Sequence, residues 1–262
     1  MRILVTGGAG FIGSAYLNRL VAAHPEHHFY NLDHLGYAAN LANLAEIESA
    51  SNYSFRRLDL CDFAATSAFL QEIQPDQVVH FAAESHVDRS IASPREFVES
   101  NVMGTFHLLQ ATWELWKGDP LGKRFHHIST DEVFGALGPT GLFNESTPYD
   151  PRSPYSASKA ASDHLVRAFG HTYGLPFVVT NCSNNYGPRQ FPEKLIPLMI
   201  LNAIEGKPLP VYGEGKQVRD WLFVDDHVAA LWAALQQGRN GETYVIGGNN
   251  ELTNREVVSA IL

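Results

Sequence analysis

The sequence predicts an α/β protein: a doubly wound parallel sheet with a smaller substrate-binding lobe on its second half. Three observations carry that reading. Short β-branched apolar runs alternate with helical patterns from the N-terminus to about Thr180. The first run, Arg2–Thr6, opens directly into Gly7-Gly8-Ala9-Gly10-Phe11-Ile12-Gly13. The second ends in an acid, Asp33, 20 residues beyond Gly13. Strand, glycine turn, helix, strand and acid in that order are the signature of a Rossmann-type dinucleotide-binding unit.

Each element follows from its residues. Gly7 permits the tight turn, Gly10 lets backbone approach a pyrophosphate, and Gly13 lets the next helix pack close to the sheet. That helix, Ser14–Ala22, presents free amides and its positive end to phosphate. The strand His28–Leu32 delivers Asp33 to the adenosine ribose, where an acid repels a 2′-phosphate, so NAD is expected rather than NADP. Tyr53–Leu58 ends in Asp59-Leu60, an edge for adenine, and the helix Phe63–Ile73 follows. Gln77–Phe81 ends in Ala82-Ala83-Glu84-Ser85, whose small side chains leave room for a cofactor. The helix Glu96–Trp116 leads to Arg124–Ile128, which ends in Ser129-Thr130-Asp131-Glu132. The helix Ser156–Tyr173 and the strand Phe177–Thr180 complete the alternation. In such sheets ligands lie outside the carboxyl ends of the strands, where these polar clusters fall.

After Tyr186 the pattern changes. Phe191–Pro197 opens a helix running to about Glu205, Lys207–Tyr212 reads as a short strand, and Gly213-Glu214-Gly215 turns towards Arg219-Asp220. A helix at Asp225–Leu235 and a strand at Glu242–Ile246 return to the first pattern, and Asn254 begins a last helix. We therefore assign residues 1–185 and 222–247 to the NAD-binding domain, and 186–221 and 248–262 to the substrate lobe.

Composition narrows the function. The 28 acidic residues outnumber 19 basic ones, for a net charge of −9, and no block of like charge stands out. Binding to nucleic acid or to an anionic membrane has no electrostatic support. The longest apolar tract, Leu195–Ile204, is interrupted by Pro197 and Asn202, so no membrane span is expected. Cys61 and Cys182 form no CxxC pattern, and the 12 histidines no HExxH pattern, so neither a disulfide nor a metal is expected, and a cytoplasmic location fits.

The chemistry centres on two groups. Tyr155 and Lys159 share a helical face at i, i+4, where an ammonium favours phenolate and draws a tyrosine from its ordinary pKa of about 10 towards neutrality. Such a base can take the proton of a sugar hydroxyl. Asp131 and Glu132 are neighbours at a strand end, where extended chain points successive side chains opposite ways. A site that keeps one carboxyl protonated and the other ionised can run acid and base chemistry in one turnover. Lys194 and Arg219 are candidate donors to a diphosphate.

Gly7–Gly13, the Tyr155/Lys159 pair and the strand order resemble the extended short-chain dehydrogenase/reductases. Longer blocks, Phe81–Ser90, Ile128–Val133, Ser153–Lys159, Asn181–Pro188 and Arg219–Val224, resemble the dTDP-glucose 4,6-dehydratases among them. The resemblance covers the whole chain. It implies NAD-dependent conversion of dTDP-glucose to dTDP-4-keto-6-deoxyglucose by C4 oxidation, elimination of water across C5 and C6, and hydride return to C6, as in dTDP-rhamnose biosynthesis. It gives Tyr155 the 4-hydroxyl proton, Glu132 the C5 proton, Asp131 the departing 6-hydroxyl, Thr130 a hydrogen bond to the 4-oxygen, and Lys159 the ribose. As cofactor contacts it implies Gly7, Gly10, Phe11, Ile12, Gly13, Asp33, His34, Leu35, Gly36, Asp59, Leu60, Phe81, Ala82, Ala83, Ser85, Ser100, Tyr155, Lys159 and Asn185. As substrate contacts it implies Ser85, Thr130, Asn184, Lys194, Leu195, Pro210, Val211, Tyr212, Arg219 and Asn254. It also implies a homodimer that pairs the helices Glu96–Trp116 and Ser156–Tyr173 between subunits.

Departures from the resemblance are few: Phe134 replaces a usual tyrosine, Gly36 and Ala39 alter the loop after Asp33, and Arg189 stands where an aromatic is usual. The final helix stops without a capping glycine or polar finish, and the resemblance implies a later segment that completes the nucleotide pocket. On that expectation the chain retains NAD binding, while its turnover is open. Two rival readings are a nucleotide-sugar 4-epimerase, which needs Tyr155, Lys159 and NAD but not the acid pair, and a non-catalytic NAD-sensing protein on the same fold.

Overall fold

The computed structural model describes residues 1–138, 140–211 and 213–262. Seven parallel strands form the main sheet: β1 (Arg2–Thr6), β2 (His28–Asp33), β3 (Tyr53–Arg57), β4 (Gln77–His80), β5 (Arg124–Thr130), β6 (Phe177–Cys182) and β9 (Thr243–Ile246). Their order is β3-β2-β1-β4-β5-β6-β9, so the strand order reverses between β1 and β4. That reversal opens a crevice at the carboxyl edge, the expected ligand position for this topology.

Alternation along the strands feeds two cores. Ile3 and Val5 of β1 point to one face, with Tyr16, Leu17, Val228 and Leu231. Leu4 points to the other, with Leu70, Leu108, Phe125 and Val166. The first face is covered by α1 (Phe11–Ala23) and α8 (Val224–Gln237), the second by α2 (Phe63–Ile73), α5 (Thr105–Trp116) and α6 (Pro154–Tyr173). Buried on both faces, the central strands β1, β4 and β6 carry continuous apolar stretches, whereas the edge strand β3 is half-exposed.

The helix carrying Tyr155 is the most firmly delimited. Ser153 and Ser156 form a reciprocal capping box, Pro154 occupies the first turn, and Gly174 ends the helix in the left-handed conformation at φ 73°. The predicted helix Glu96–Trp116 is not one regular helix. The short helices α3 (Val87–Ala92) and α4 (Pro94–Phe97) precede a π-helical stretch at Val98–Gly104, and only then does α5 begin. Asn101 lies in the widened stretch, and its side chain bonds both backbone groups of Glu84 and the hydroxyl of Ser158.

The second lobe has its own sheet, β10-β8-β7, made of β7 (Asn184–Tyr186), β8 (Val218–Phe223) and β10 (Glu251–Thr253), with β7–β8 parallel and β8–β10 antiparallel. Helices α7 (Leu195–Ile204) and α9 (Asn254–Ile261) pack in this lobe. The predicted strand at Lys207–Tyr212 is absent among the described residues 207–211. Pro208 and Pro210 lack the amide that a strand ladder needs there. Tyr212 itself lies outside the described residues.

Candidate active site

One cleft of about 390 Å³ opens at the carboxyl edge of the main sheet. At its base, Gly7 takes φ +74° and packs so tightly under β4 that a Cβ would lie 2.6 Å from the Ala82 amide nitrogen. A Cβ on Gly13 would lie 2.4 Å from the Gly7 carbonyl, so only glycine lets α1 start this close to the turn. Gly10 caps α1 without any side-chain hydrogen bond, and the first turn holds no acid. The helix end therefore offers unpaired amides and a positive dipole to an anion. Asp33, 5% exposed, accepts from the Ala9 and Leu35 amides, which fixes its carboxylate at the cleft wall. A glycine cradle, a bare helix N-terminus and an anchored acid fit the pyrophosphate and ribose of NAD.

Most residues proposed for the cofactor line this cleft: Gly7, Gly10, Phe11, Ile12, Gly13, Asp33, His34, Gly36, Asp59, Leu60, Phe81, Ala82, Ala83, Ser85, Ser100, Tyr155, Lys159 and Asn185. Leu35 does not; it turns through φ 61° and serves Asp33 with its amide. Of the proposed substrate contacts, Ser85, Thr130, Asn184, Lys194 and Leu195 are in the wall. Pro210, Val211, Arg219 and Asn254 lie in the second lobe, outside the wall. Arg189 turns away to pair with Glu46 at 2.6 Å.

Glu132 faces the cleft together with Thr130, Tyr155 and Lys159. Thr130 caps the short 3₁₀ turn at Asp131–Phe134 by accepting from the Glu132 amide, which swings that side chain out of the strand register. Asp131 is half-buried next to it and is not part of the wall. The pair is electrostatically split. Burial first, and then the Glu132 charge, push Asp131 up to about 7. Burial also raises Glu132, but Arg219 and Lys194 pull it back. Arg219, though exposed and off the wall, thus acts on both acids.

Tyr155 departs from the sequence expectation. Its phenol is held well above its ordinary value, chiefly by burial and then by the Glu132 charge, with Thr130 acting the other way. Lys159 donates to the Ile128 carbonyl at 2.8 Å, and burial lowers its own pKa. The i, i+4 spacing puts both groups on one face but does not by itself make the phenol acidic.

The wall residues Tyr37 and Glu193 carried no signal in the sequence. Tyr37 donates to Glu193 at 2.7 Å, and the Arg89 guanidinium sits 3.6 Å over the Tyr37 ring. Lys194 donates to the Ser85 carbonyl at 3.2 Å. These contacts tie the loops after β2 and β4 to the second lobe across the cleft. They join residues far apart in sequence, which no local pattern reveals. Outside the wall, His24, Glu26 and His27 bring candidate ligand atoms within 4.8 Å of one another, where the two rings stack and Glu26 pairs with both.

Comparison with known proteins agrees with this geometry. Residues 4–262 match the family model of GDP-mannose 4,6 dehydratase. The chain is 58% identical to the dTDP-glucose 4,6-dehydratase of Neisseria gonorrhoeae over 99% of its own length and 76% of that protein's. It is 54% identical to that of Escherichia coli, over 100% and 76% of the two chains. The crystal structure of the Streptomyces venezuelae dTDP-glucose 4,6-dehydratase with NAD bound superposes with a TM-score of 0.94 at 48% identity, covering 100% of this chain and 80% of that one. The UDP-glucose 4-epimerase of Thermus thermophilus, also an NAD complex, superposes with a TM-score of 0.90 at 31% identity, covering 100% and 82%.

Proposed function

The chain belongs to the GDP-mannose 4,6 dehydratase family, and on that premise we propose that it dehydrates dTDP-glucose to dTDP-4-keto-6-deoxyglucose with NAD as its resident cofactor. The observation that carries the reading is the facing of Glu132 into the cleft of Tyr155 and Lys159, beside an Asp131 held close to neutrality. An epimerase requires no such pair, and the identity to dehydratases exceeds that to the epimerase.

The glycine turn, Asp33, Asp59-Leu60 and the Ala82-Ala83 edge would hold the dinucleotide, with Lys159 at the nicotinamide ribose. NAD supplies the oxidation of C4 and the later reduction of C6. With NAD bound, its positive ring and the Lys159 ammonium would draw Tyr155 towards phenolate, in which form it would take the 4-hydroxyl proton while Thr130 holds the 4-oxygen. The 4-ketone acidifies the proton at C5, and Glu132, kept ionisable by Arg219 and Lys194, removes it. Asp131 carries a proton near neutral pH and gives it to the 6-hydroxyl, which leaves as water. Glu132 returns its proton to C5. Each such transfer by a placed side chain typically contributes about 10²–10⁴-fold.

In this reading residues 186–221 and 248–262 form the substrate lobe, with Lys194 and Arg219 on the diphosphate and Asn184, Leu195, Pro210, Val211, Tyr212 and Asn254 around the nucleotide. A homodimer is part of the same proposal. Val98 and Met103 on the helical stretch before α5, and Tyr173 at the end of α6, are exposed apolar side chains suited to pairing.

Incubation with dTDP-glucose and NAD tests the reading. The expected product is the sugar nucleotide less one water, formed by the wild type, while Glu132→Gln oxidises C4 but releases no dehydrated product. A C4 epimer with oxygen retained at C6 would contradict it.

A further inference from the structure

We propose that Asp163 is a positioning residue for this reaction: its buried carboxylate clamps the helix carrying Tyr155 and Lys159 to the strand end carrying Thr130, Asp131 and Glu132. The proposal rests on the dehydratase reading above. Asp163 is fully buried and stands one helical repeat beyond Lys159 on the same face of α6. One carboxylate oxygen accepts from the Ser129 hydroxyl at 2.9 Å, the Tyr149 hydroxyl at 2.7 Å and the Asn181 amide at 3.2 Å. His127 Nε2 stands 3.1 Å from the other oxygen without the alignment of a hydrogen bond. The Asn181 amide also donates to the Thr130 carbonyl at 3.1 Å, and Lys159 to that of Ile128 at 2.8 Å. Residues 128, 129 and 130 are thus each fastened to α6, directly or through Asn181.

A charged group is a costly choice for a merely structural clamp, because a buried carboxylate must recover its lost hydration from its partners. Here the charge has a second use. Lys159 is fully buried, which works against its ammonium, and Asp163 is the leading charge opposing that loss. Burial opposes the Asp163 charge, while the Lys159 ammonium and the Tyr149 hydroxyl favour it. The other titratable groups facing this pair are His80 from β4, His127 from β5, Tyr149 from the loop before α6, Tyr155 and Arg167 from α6 and Cys182 from β6, the Tyr155 phenol being raised by burial. The two histidines are held neutral by burial, and Cys182 is raised. That leaves Asp163 as the negative partner of Lys159.

Asp163→Asn in the whole chain keeps the shape and removes the charge. The expected result is a fall in kcat on dTDP-glucose of about 10²-fold with KM nearly unchanged, as for a misplacement of reacting groups. NAD titrated across pH gives a readout independent of turnover. Affinity that depends on charged Lys159 should fail at a pH lower by about one unit in Asp163→Asn than in the wild type. Should Asp163→Asn not fold, Tyr149→Phe removes one donor and keeps the charge, with kcat expected to fall about threefold to tenfold and the alkaline limit of NAD binding unmoved. Lower thermal stability alone, with wild-type kcat and the same alkaline limit, would overturn the proposal, as would wild-type kcat in Tyr149→Phe. A shifted NAD limit without turnover of dTDP-glucose by the wild type would uphold the Asp163–Lys159 link and sink the dehydratase reading instead.

Discussion

Asp131 and Glu132 are consecutive in the chain, yet their carboxyls have different surroundings and different proton affinities. Two predictions follow from the split. Asp131 holds its proton up to about 7 when folded, against about 4 for an unfolded aspartate, so the folded state loses stability as pH rises between those values. Asp131→Asn should therefore be more thermostable than the wild type, by a margin that widens from pH 5 to pH 8, while losing kcat. Melting curves at the two pH values check this, and an equal margin at both would contradict it. The Glu132 charge helps hold the Tyr155 phenol up. Glu132→Gln should lower that phenol and extend C4 oxidation to lower pH, measurable as nicotinamide reduction against pH. The residues of this site were legible in the sequence as types and spacings: Tyr155 with Lys159, and the acid pair after Thr130. Their proton affinities were not, because burial decides them. The expectation of an acidic Tyr155 failed for that reason.

At the scale of elements, the glycine turn and α1 work as one device. Gly13→Ala would place a Cβ 2.4 Å from the Gly7 carbonyl, so α1 must move away from the turn that positions its amides. NAD affinity should fall at least about tenfold, read by equilibrium titration, since a shift of the helix N-terminus weakens its grip on phosphate. Wild-type affinity would show that the turn does not hold the cofactor. Central strands of the main sheet such as β1 and β6 were legible because burial on both faces favours an apolar run. The strands of the second lobe were not: β7 is the polar triplet Asn184-Asn185-Tyr186, which pairs with β8 alongside it. The π-helical stretch at Val98–Gly104 was hidden for a related reason. Its apolar pattern suits an ordinary helix, and the widening accompanies the Asn101 contacts to Glu84 and Ser158.

Across the whole molecule, the cleft is a seam between two units that are interleaved in sequence. The main sheet takes β9 from beyond the lobe, so the chain crosses the seam more than once. Tyr37–Glu193, Arg89 on Tyr37, and Lys194–Ser85 bridge it. Among the described residues no helix is long and apolar enough to cross a membrane. The main-sheet topology and the existence of a second lobe could be read from alternation and glycines. The way the lobe closes on the sheet could not, because it depends on pairs separated by more than 100 residues.

The central claim is that one mouth of the fold oxidises C4, expels water from C5 and C6, and reduces C6 without releasing what it carries. dTDP-glucose bearing deuterium at C4, turned over in ordinary water and analysed by mass and NMR, tests it most directly. The account predicts deuterium at C6 of the 4-keto-6-deoxy product. Deuterium lost to solvent, or retained at C4 of a sugar that keeps its 6-hydroxyl, would contradict it.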